Sequence, residues 1–141
     1  MTKLEKISYN KLSTKQKENY NFQKVASALA DYGYQCIKLS DDWQTADFIA
    51  QHIDGKTFIK VQLKAGLTIS KKYLGKNLYV CYRSGDKFFL YPHDEIAEHI
   101  LENLNVKNTR SWKEHGLYYW PQTPKSILTI LNKYRLSLIH I

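Results

Sequence analysis

Asp47, Gln62 and Lys64 bring a carboxylate, an amide oxygen and an ammonium to one stretch of this sequence. They lie in two strand-like runs, ADFIAQHI and TFIKVQLK, which flank Asp54-Gly55, a strong signal for a tight hairpin turn. If Asp54 and Gly55 form the loop, Asp47 faces Gln62 directly across the hairpin. Lys64 lies on the same side because side chains alternate along a strand. The three groups are therefore predicted to share one sheet face.

Such a face could hydrolyse a phosphodiester bond. That reaction needs a divalent cation to neutralise developing charge and to generate hydroxide, and a group that positions the water. Asp47 offers the carboxylate that Mg²⁺ prefers, Gln62 offers a weaker amide oxygen, and the backbone carbonyl of Leu63 is expected within reach. Lys64 could orient the attacking water and stabilise charge in the transition state. The spacing thus predicts a candidate metal-dependent hydrolytic site.

A cross-strand charge pair is the simpler alternative for Asp47, with Lys60 or Lys64 as its partner. Such pairs contribute about 0.2–1 kcal/mol to a sheet and need no function. The opposite face of the hairpin is apolar and predicts a core that packs against a helix. Its members are Phe48, Ala50, Ile59, Val61 and Leu63. The polar face is therefore either open to solvent or functional.

Three helices and five strands are predicted along the chain, in the order α-β-β-β-β-β-α-α. The helices follow from three- and four-residue apolar spacing and from caps, and the strands from short apolar runs between turn residues. The predicted elements are a helix over 14–32, strands over 34–39, 46–53, 57–64, 77–83 and 87–91, a helix from 92–94, and a last helix from 123 to about 134. Residues 40–44 are predicted to form a polar loop, and 105–122 have no clear period.

The basic balance of the chain favours a polyanionic partner. Its net charge is +8 and its isoelectric point is near 9.4, which bears on binding and not on the fold. Lysines interleaved with an aromatic ring suit phosphate contacts and base stacking, and a solvated loop is the alternative. The predicted nucleic-acid-binding residues are Lys60, Lys71, Lys72, Tyr73 and Lys76.

The cysteines and the lack of long apolar runs narrow the class of protein. Cys36 and Cys81 lie in apolar strand-like runs, which predicts buried, reduced thiols and no zinc site. No apolar run approaches the ~18 residues of a membrane span, and the N-terminus lacks the apolar core of a signal peptide. We therefore expect a cytoplasmic protein of bacterial type with no membrane partner. It is predicted to be one domain over 1–141, with a core over 14–105 and an aromatic, basic C-terminal extension over 106–141.

The polar residues of the hairpin also resemble a known nuclease motif. An acid followed after ten to twenty residues by [D/E/Q]-x-K is similar to the PD-(D/E)xK superfamily of restriction endonucleases, Holliday-junction resolvases and intron-associated homing endonucleases. Asp47 matches the first acid, Gln62 the middle position and Lys64 the lysine, in the known Q-x-K variation. Glu18, within KQKENYNF, best matches a glutamate that several members carry on the preceding helix. The stretch 20–95 also resembles a group of uncharacterised bacterial proteins.

This resemblance implies a fold and an activity. The fold is α/β (α+β), a restriction-endonuclease-like mixed sheet with an N-terminal helix before it and two helices after it. The activity is that of a Mg²⁺- or Mn²⁺-dependent endonuclease acting on DNA, with a homodimer expected where both strands are cut. The implied metal ligands are Asp47, Gln62, the Leu63 carbonyl and Glu18, and Lys64 is the implied catalytic lysine.

Two departures from the motif leave other functions open. The link over 65–76 is too short for the crossover helix that usually follows the lysine strand, so either it holds a single helical turn or the sheet is rearranged. Gln62 removes a negative charge, which favours a catalytically weakened or inactive nuclease-fold protein that binds nucleic acid. A third class is a protein-interaction or immunity-type accessory protein, in which the aromatic C-terminal segment docks a partner.

Overall fold

The computed structural model describes residues 3–43 and 45–136. The helices are α1 (Thr14–Ala30), α2 (His93–Asn103) and α3 (Lys125–Leu131). The strands are β1 (Tyr34–Trp43), β2 (Ala46–His52), β3 (Phe58–Lys64), β4 (Leu67–Ser70), β5 (Leu78–Ser84), β6 (Lys87–Pro92), β7 (Leu117–Trp120) and β8 (Arg135–Leu136). Short 3-10 turns lie at Tyr9–Lys11, Lys71–Tyr73 and Asn132–Tyr134, and a π-helical turn lies at Ser111–His115.

Six of the strands in these described ranges form one mixed sheet, in the order β1-β2-β3-β5-β6-β8. β3 and β5 are parallel, and the other neighbours are antiparallel. β4 and β7 pair as a separate antiparallel sheet. α1 precedes the main sheet, and α2 and α3 follow its first five strands. This confirms the predicted α+β class, a mixed sheet with one helix before it and two after it.

The β2–β3 hairpin has the predicted register but a longer loop. Phe48 pairs with Val61, as it must if Asp47 faces Gln62. The last ladder bond runs from the His52 N–H to the carbonyl oxygen of residue 57 at 2.8 Å, so the loop is 53–56 and not two residues. Because two residues are added symmetrically, the pairing does not slip and every side chain keeps its face.

Asp54 organises this loop through its side chain. Its Oδ1 accepts the backbone N–H groups of Lys56 (2.8 Å) and Thr57 (2.7 Å), and its Oδ2 accepts the Thr57 hydroxyl (2.6 Å). These bonds hold the pKa of Asp54 well below its usual range, and the bond from the Thr57 hydroxyl has the largest effect. Gly55 supplies φ +70 at the tip, where a side chain would strain the backbone. The loop therefore closes through a carboxylate that the sequence identified only as a turn residue.

α1 begins at a capping box and packs on the apolar face of the hairpin. The Ser13 N–H donates to Gln16 Oε1 (2.8 Å) and the Gln16 N–H donates to Ser13 Oγ (3.2 Å), which satisfies two donors at the helix start. The cluster that α1 forms with the sheet is Val25, Ala28, Leu29, Phe48, Ala50, Val61, Cys81, Phe88, Leu90 and Leu136. Burial of each large apolar side chain in this cluster contributes about 1.5–3 kcal/mol to the free energy of folding. The predicted core face and its covering helix are confirmed.

β1 runs farther than the sequence indicates. The predicted loop over 40–44 is wrong for residues 40–43, because β1 continues to Trp43. Gln44 lies outside the described residues. β1 is an edge strand, where polar side chains facing water are tolerated. Its pairing with β2 is irregular at this end, and Thr45 has φ +68 in the left-handed region. The chain therefore reaches Asp47 through a distorted strand edge.

The link between β3 and β5 is a short crossover that keeps the two strands parallel. It contains β4, whose four residues are buried, and the 3-10 turn Lys71–Tyr73. The link thus holds a single helical turn, the first of the two predicted alternatives, together with a strand that the sequence did not predict. Gly66 lets β4 approach β7, because a Cβ at this position would lie 2.6 Å from the Trp120 carbonyl oxygen.

The C-terminal segment is built into both sheets. β7 pairs with β4, and β8 pairs with β6 at the edge of the main sheet. Trp112 is 6 % exposed, and Tyr118 and Trp120 pack on the core that α2 and β4 form. The stretch without a clear sequence period therefore contains a π-helical turn and a strand. No helix in the described part of the chain is long and apolar enough to cross a membrane.

His93, the first residue of α2, is a buried histidine held in one tautomer. Its Nε2 accepts the Ser70 backbone N–H (3.0 Å), so the proton lies on Nδ1, which donates to Asp94 Oδ1 (2.9 Å). Burial lowers the pKa of His93, and the hydrogen bond to Asp94 partly opposes that shift. His93 therefore joins α2 to β4 in its neutral form.

We expect the free energy of unfolding to fall as the pH drops below about 6.5, the ordinary pKa of an unfolded histidine. Below that pH the unfolded chain binds a proton that folded His93 resists, which costs at most about 1.4 kcal/mol per pH unit. Urea unfolding between about pH 7.5 and pH 5.5 measures the slope. His93→Gln should lose this part of the slope, and exposed His115→Gln should retain it. Equal slopes in both variants would contradict the assignment.

Candidate active site

A cleft of about 980 Å³ opens beside the first half of α1, at the carboxyl-terminal ends of β3 and β5. All the residues predicted to bind metal or catalyse line it, namely Glu18, Asp47, Gln62, Leu63 and Lys64. The segment before α1 and the β5–β6 hairpin supply the rest of the wall. The fold therefore brings together residues that the sequence could place only on a hairpin and a separate helix.

Asp47 stands where the β2–β3 ladder opens. The last regular pair is Phe48 opposite Val61, and beyond it the Leu63 backbone N–H donates to Asp47 Oδ2 at 2.8 Å. The carboxylate thus takes the place of a backbone acceptor and fixes the peptide that joins Gln62 to Leu63. Asp47 and Gln62 are both half-buried at the cleft wall. The backbone at Gln62 and Leu63 is therefore held by the Asp47 side chain and not by continued pairing of β2 with β3.

Lys64 is the last residue of β3, and its ammonium lies over an aromatic ring. Its Nζ is 5.6 Å from the centroid of Tyr73, and the Nζ of Lys72 is 5.5 Å from the same centroid. Tyr73 is 1 % exposed and meets His93 edge-on, so its ring is fixed in the core. The two lysines differ in one respect, because Lys64 lines the cleft and Lys72 does not. Tyr73 therefore limits the freedom of the Lys64 side chain.

Glu18 reaches the cleft from the second turn of α1. Its side chain is 44 % exposed and forms an ion pair with Lys15 at 3.9 Å. A surface pair of this kind contributes little, typically less than about 1 kcal/mol, so it does not hold the carboxylate away from the cleft. Glu18 therefore lies at the open side of the cleft, where a carboxylate can turn toward a bound group.

The residues predicted to contact nucleic acid lie outside the lining of the cleft. They are Lys60, Lys71, Lys72, Tyr73 and Lys76. Lys71 is exposed at the surface and has its Nζ 5.4 Å from the Trp112 ring centroid. The buried ring of Tyr73 has no free face for a base, so the expectation that it stacks on nucleic acid is wrong. The link contributes exposed positive charge but no stacking surface at this position.

Comparison with known proteins gives structural similarity only. No protein-family model matches the chain, and no curated protein matches it in sequence. The Holliday junction resolvase Hjc of Archaeoglobus fulgidus aligns with a TM-score of 0.41 and 15% identity, over 52% of this chain and 76% of that one. The bacterial homing endonuclease I-Ssp6803I aligns with a TM-score of 0.46 and 15% identity, over 86% of this chain and 94% of that one.

The oxygen atoms of the cleft fit a hard cation. Among the described residues, no three His, Cys, Asp or Glu side chains are grouped so as to hold a metal ion. The cleft is instead lined by Asp47, Glu18, Gln62 and Leu63, whose carboxylate, amide and backbone oxygens are the ligands that the motif implies, and by a further acid, Asp86. Mg²⁺ is commonly bound by one or two carboxylates together with waters and substrate phosphates. The donor set therefore fits Mg²⁺ or Mn²⁺ held in part by substrate, and it does not fit zinc.

Two other groups of the wall are poor nucleophiles. Cys81 is fully buried, and burial raises the pKa of its thiol. Burial likewise raises the pKa of Tyr82, whose hydroxyl pairs with Thr123 Oγ1 at 2.6 Å. Thr123 therefore braces the wall of the cleft, and α3 begins after Pro124. Cys36 and Cys81 are both free thiols. Attack by the Cys81 thiolate or the Tyr82 phenolate is therefore disfavoured.

The sequence reasoning missed the basic and aromatic wall of the cleft. Tyr9 lies before α1, in a segment with no predicted structure, and Arg83 lies near the end of β5. The residues of α1 that line the cleft are Thr14, Lys17, Glu18 and Asn21. Their three- and four-residue spacing places them on one helix face, which is the signal that could have found them.

Proposed function

We propose that this protein is a metal-dependent nuclease that hydrolyses DNA phosphodiester bonds in the cleft beside α1. The observation that supports the proposal is the meeting of Glu18 from α1, Asp47 from β2, and Gln62 and Lys64 from β3 at one cleft. The net charge of +8 supports an anionic substrate. The poor nucleophilicity of the buried wall residues supports water as the nucleophile.

Each residue has a defined part in the proposed reaction. Asp47, Gln62, the Leu63 carbonyl and Glu18 would hold the cation. When bound, Mg²⁺ or Mn²⁺ would neutralise phosphate charge and acidify a water molecule. Lys64 would position the attacking water and stabilise the charge that develops on the phosphate oxygens.

The direct test is incubation of the purified protein with plasmid, single-stranded and branched DNA in Mg²⁺ or Mn²⁺. We expect cleavage of at least one of these substrates and none after EDTA is added. RNA of matched sequence, tested in parallel, decides which nucleic acid is preferred. Light scattering with and without duplex tests the expected homodimer. Intact DNA in all three forms, at protein concentrations that saturate binding, would overturn the proposed activity.

A nucleic-acid-binding module without chemistry is the second candidate. It is favoured by Gln62, an uncharged ligand at the middle position, and by the limited carboxylate content of the cleft. Manganese titration separates the candidates. A catalytic site should bind Mn²⁺ and lose it in Asp47→Ala, whereas a binding module should bind DNA equally well with and without metal.

A further inference from the structure

Arg83 holds its guanidinium rigidly at the wall of the cleft. Its Nε donates to the Gly85 carbonyl oxygen at 2.7 Å. Its Cζ lies 4.3 Å from the ring centroid of Tyr9 and 5.4 Å from that of Tyr20. The two rings lie 5.3 Å apart by their centroids. Contact with two rings and a backbone bond together restrict the orientation of the guanidinium and of its remaining N–H groups.

Two polar atoms at this wall are buried without a partner. Arg83 Nη1 and Asn21 Oδ1 are the buried side-chain nitrogen and oxygen atoms of the described residues that have no hydrogen-bond partner. Arg83 also forms no ion pair with a described carboxylate. A buried charged donor without an acceptor is costly, and such groups are normally satisfied by a ligand, an ion or water. The orphaned Nη1 is therefore a charged donor that an anionic group could satisfy.

Asn21 and Lys17 complete a set of donors around this position. Asn21 Nδ2 donates to the Tyr9 hydroxyl at 2.9 Å. Turning the amide over would let that hydroxyl donate to Oδ1 and would free Nδ2 of a residue that, like Arg83, lines the cleft. Lys17 Nζ lies 5.3 Å from the Tyr9 ring centroid and also lines the cleft. One aromatic ring thus carries two cations beside an amide that can supply a third donor.

The geometry points to a second phosphate subsite at Arg83, Asn21 and Lys17, which holds an internucleotide phosphate of the strand bound in the cleft. This assignment rests on the proposed function for its ligand, because the cleft also contains Asp47 and Lys64. A planar guanidinium with fixed orientation suits two phosphate oxygens, and an adjacent lysine adds charge without directional demand. The subsite positions the strand and takes no part in the bond cleavage itself.

The test measures DNA binding in EDTA, so that cleavage plays no part. Fluorescence anisotropy of a short labelled duplex gives affinity as a function of salt. Arg83→Gln should weaken binding about tenfold and reduce the slope of log affinity against log salt by about 1, the value for one phosphate contact. Arg110→Gln is the matched control, because Arg110 is exposed and pairs with Glu114 outside the cleft. Its slope should equal that of the unaltered protein.

A second variant separates binding from folding. Arg83→Lys keeps the charge but loses the planar fork, so its salt slope should be retained while its affinity falls. Circular dichroism at the assay temperature checks that each variant is folded. If Arg83→Gln is unfolded, a duplex carrying one neutral methylphosphonate linkage replaces it. At one position that linkage should weaken binding of the unaltered protein and have a smaller effect on Arg83→Lys. Equal effects in both proteins at every position would overturn the subsite.

Inorganic phosphate distinguishes the two sources of the ligand. In one outcome, inorganic phosphate raises the midpoint of thermal unfolding of the unaltered protein but not of Arg83→Gln, and the salt slopes of DNA binding are the same in both proteins. That outcome would assign the site to a free phosphate compound and would overturn the strand assignment. Equal DNA slopes in Arg83→Gln and Arg110→Gln with no phosphate effect would leave only a bound water and also overturn it. A reduced slope combined with intact DNA in every cleavage assay would refute the nuclease activity and retain the subsite.

Discussion

Asp47→Asn is expected to lower the rate of DNA cleavage by about 10²–10³-fold, the usual cost of removing one preorganised group from a hydrolytic site. The substitution removes the charge of the proposed metal ligand but keeps an oxygen that can accept the Leu63 N–H, now at 2.8 Å from the carboxylate. The hairpin should therefore fold as before. Initial rates at saturating DNA and Mg²⁺, with urea unfolding of the same protein, measure both effects.

Asp47→Ala separates the two roles of this carboxylate. It removes the acceptor as well as the charge, so it should lower the free energy of unfolding by about 1–3 kcal/mol relative to Asp47→Asn. Asp86→Asn is the matched control, because Asp86 is an exposed acid at the same cleft with no predicted ligand role. Its cleavage rate should stay within about threefold of the unaltered protein. Full activity in Asp47→Asn would remove Asp47 from the proposed mechanism.

The parts of the fold that the sequence predicted depend on local patterns. The hairpin register follows from the alternation of apolar and polar residues on both sides of Asp54-Gly55. The longer loop leaves this register unchanged because it is extended by one residue on each side. α1 follows from apolar spacing and from the cap residues Ser13 and Thr14 at its start, of which the structure uses Ser13. In both cases neighbouring residues in the chain carry the whole signal, which is why the motif residues were placed correctly on their elements.

The parts that the sequence could not predict depend on distant contacts. β4 is four residues long and is stabilised by pairing with β7, some fifty positions later. β1 continues through polar residues because it lies at a sheet edge. Tyr73 was expected at the surface because lysines surround it, yet it is buried under their side chains. Periodicity cannot predict such features, since each arises when two remote segments cover one another.

The same distinction explains why the wall of the candidate site was missed. The motif identifies Asp47, Gln62 and Lys64 because their spacing within one hairpin is short and fixed. Arg83 and Tyr9 stand more than seventy positions apart and meet only when α1 covers the sheet. A wall built in this way has no sequence pattern of its own. The motif therefore predicts where chemistry occurs better than how the substrate is held.

Lys64→Gln is expected to lower cleavage by about 10²–10³-fold with little change in DNA affinity. The ammonium acts on charge that develops in the transition state, so its loss should appear in kcat more than in KM. Lys72→Gln is a close control, because the Nζ atoms of Lys64 and Lys72 lie 5.6 Å and 5.5 Å from the same Tyr73 centroid. Both variants lose one positive charge and one contact with this ring.

Lys64 lines the cleft and Lys72 does not, so a difference in cleavage rate between the two variants reports on the cleft itself. If Lys64 acts on the reacting phosphate, Lys72→Gln should reduce cleavage by no more than about threefold, through general electrostatic attraction, and added salt should abolish even that effect. Lys64→Arg should recover part of the lost rate, because charge returns at a slightly different position. Equal losses in Lys64→Gln and Lys72→Gln would show that the lysines act only through the charge of the surface, and would remove Lys64 from the proposed mechanism.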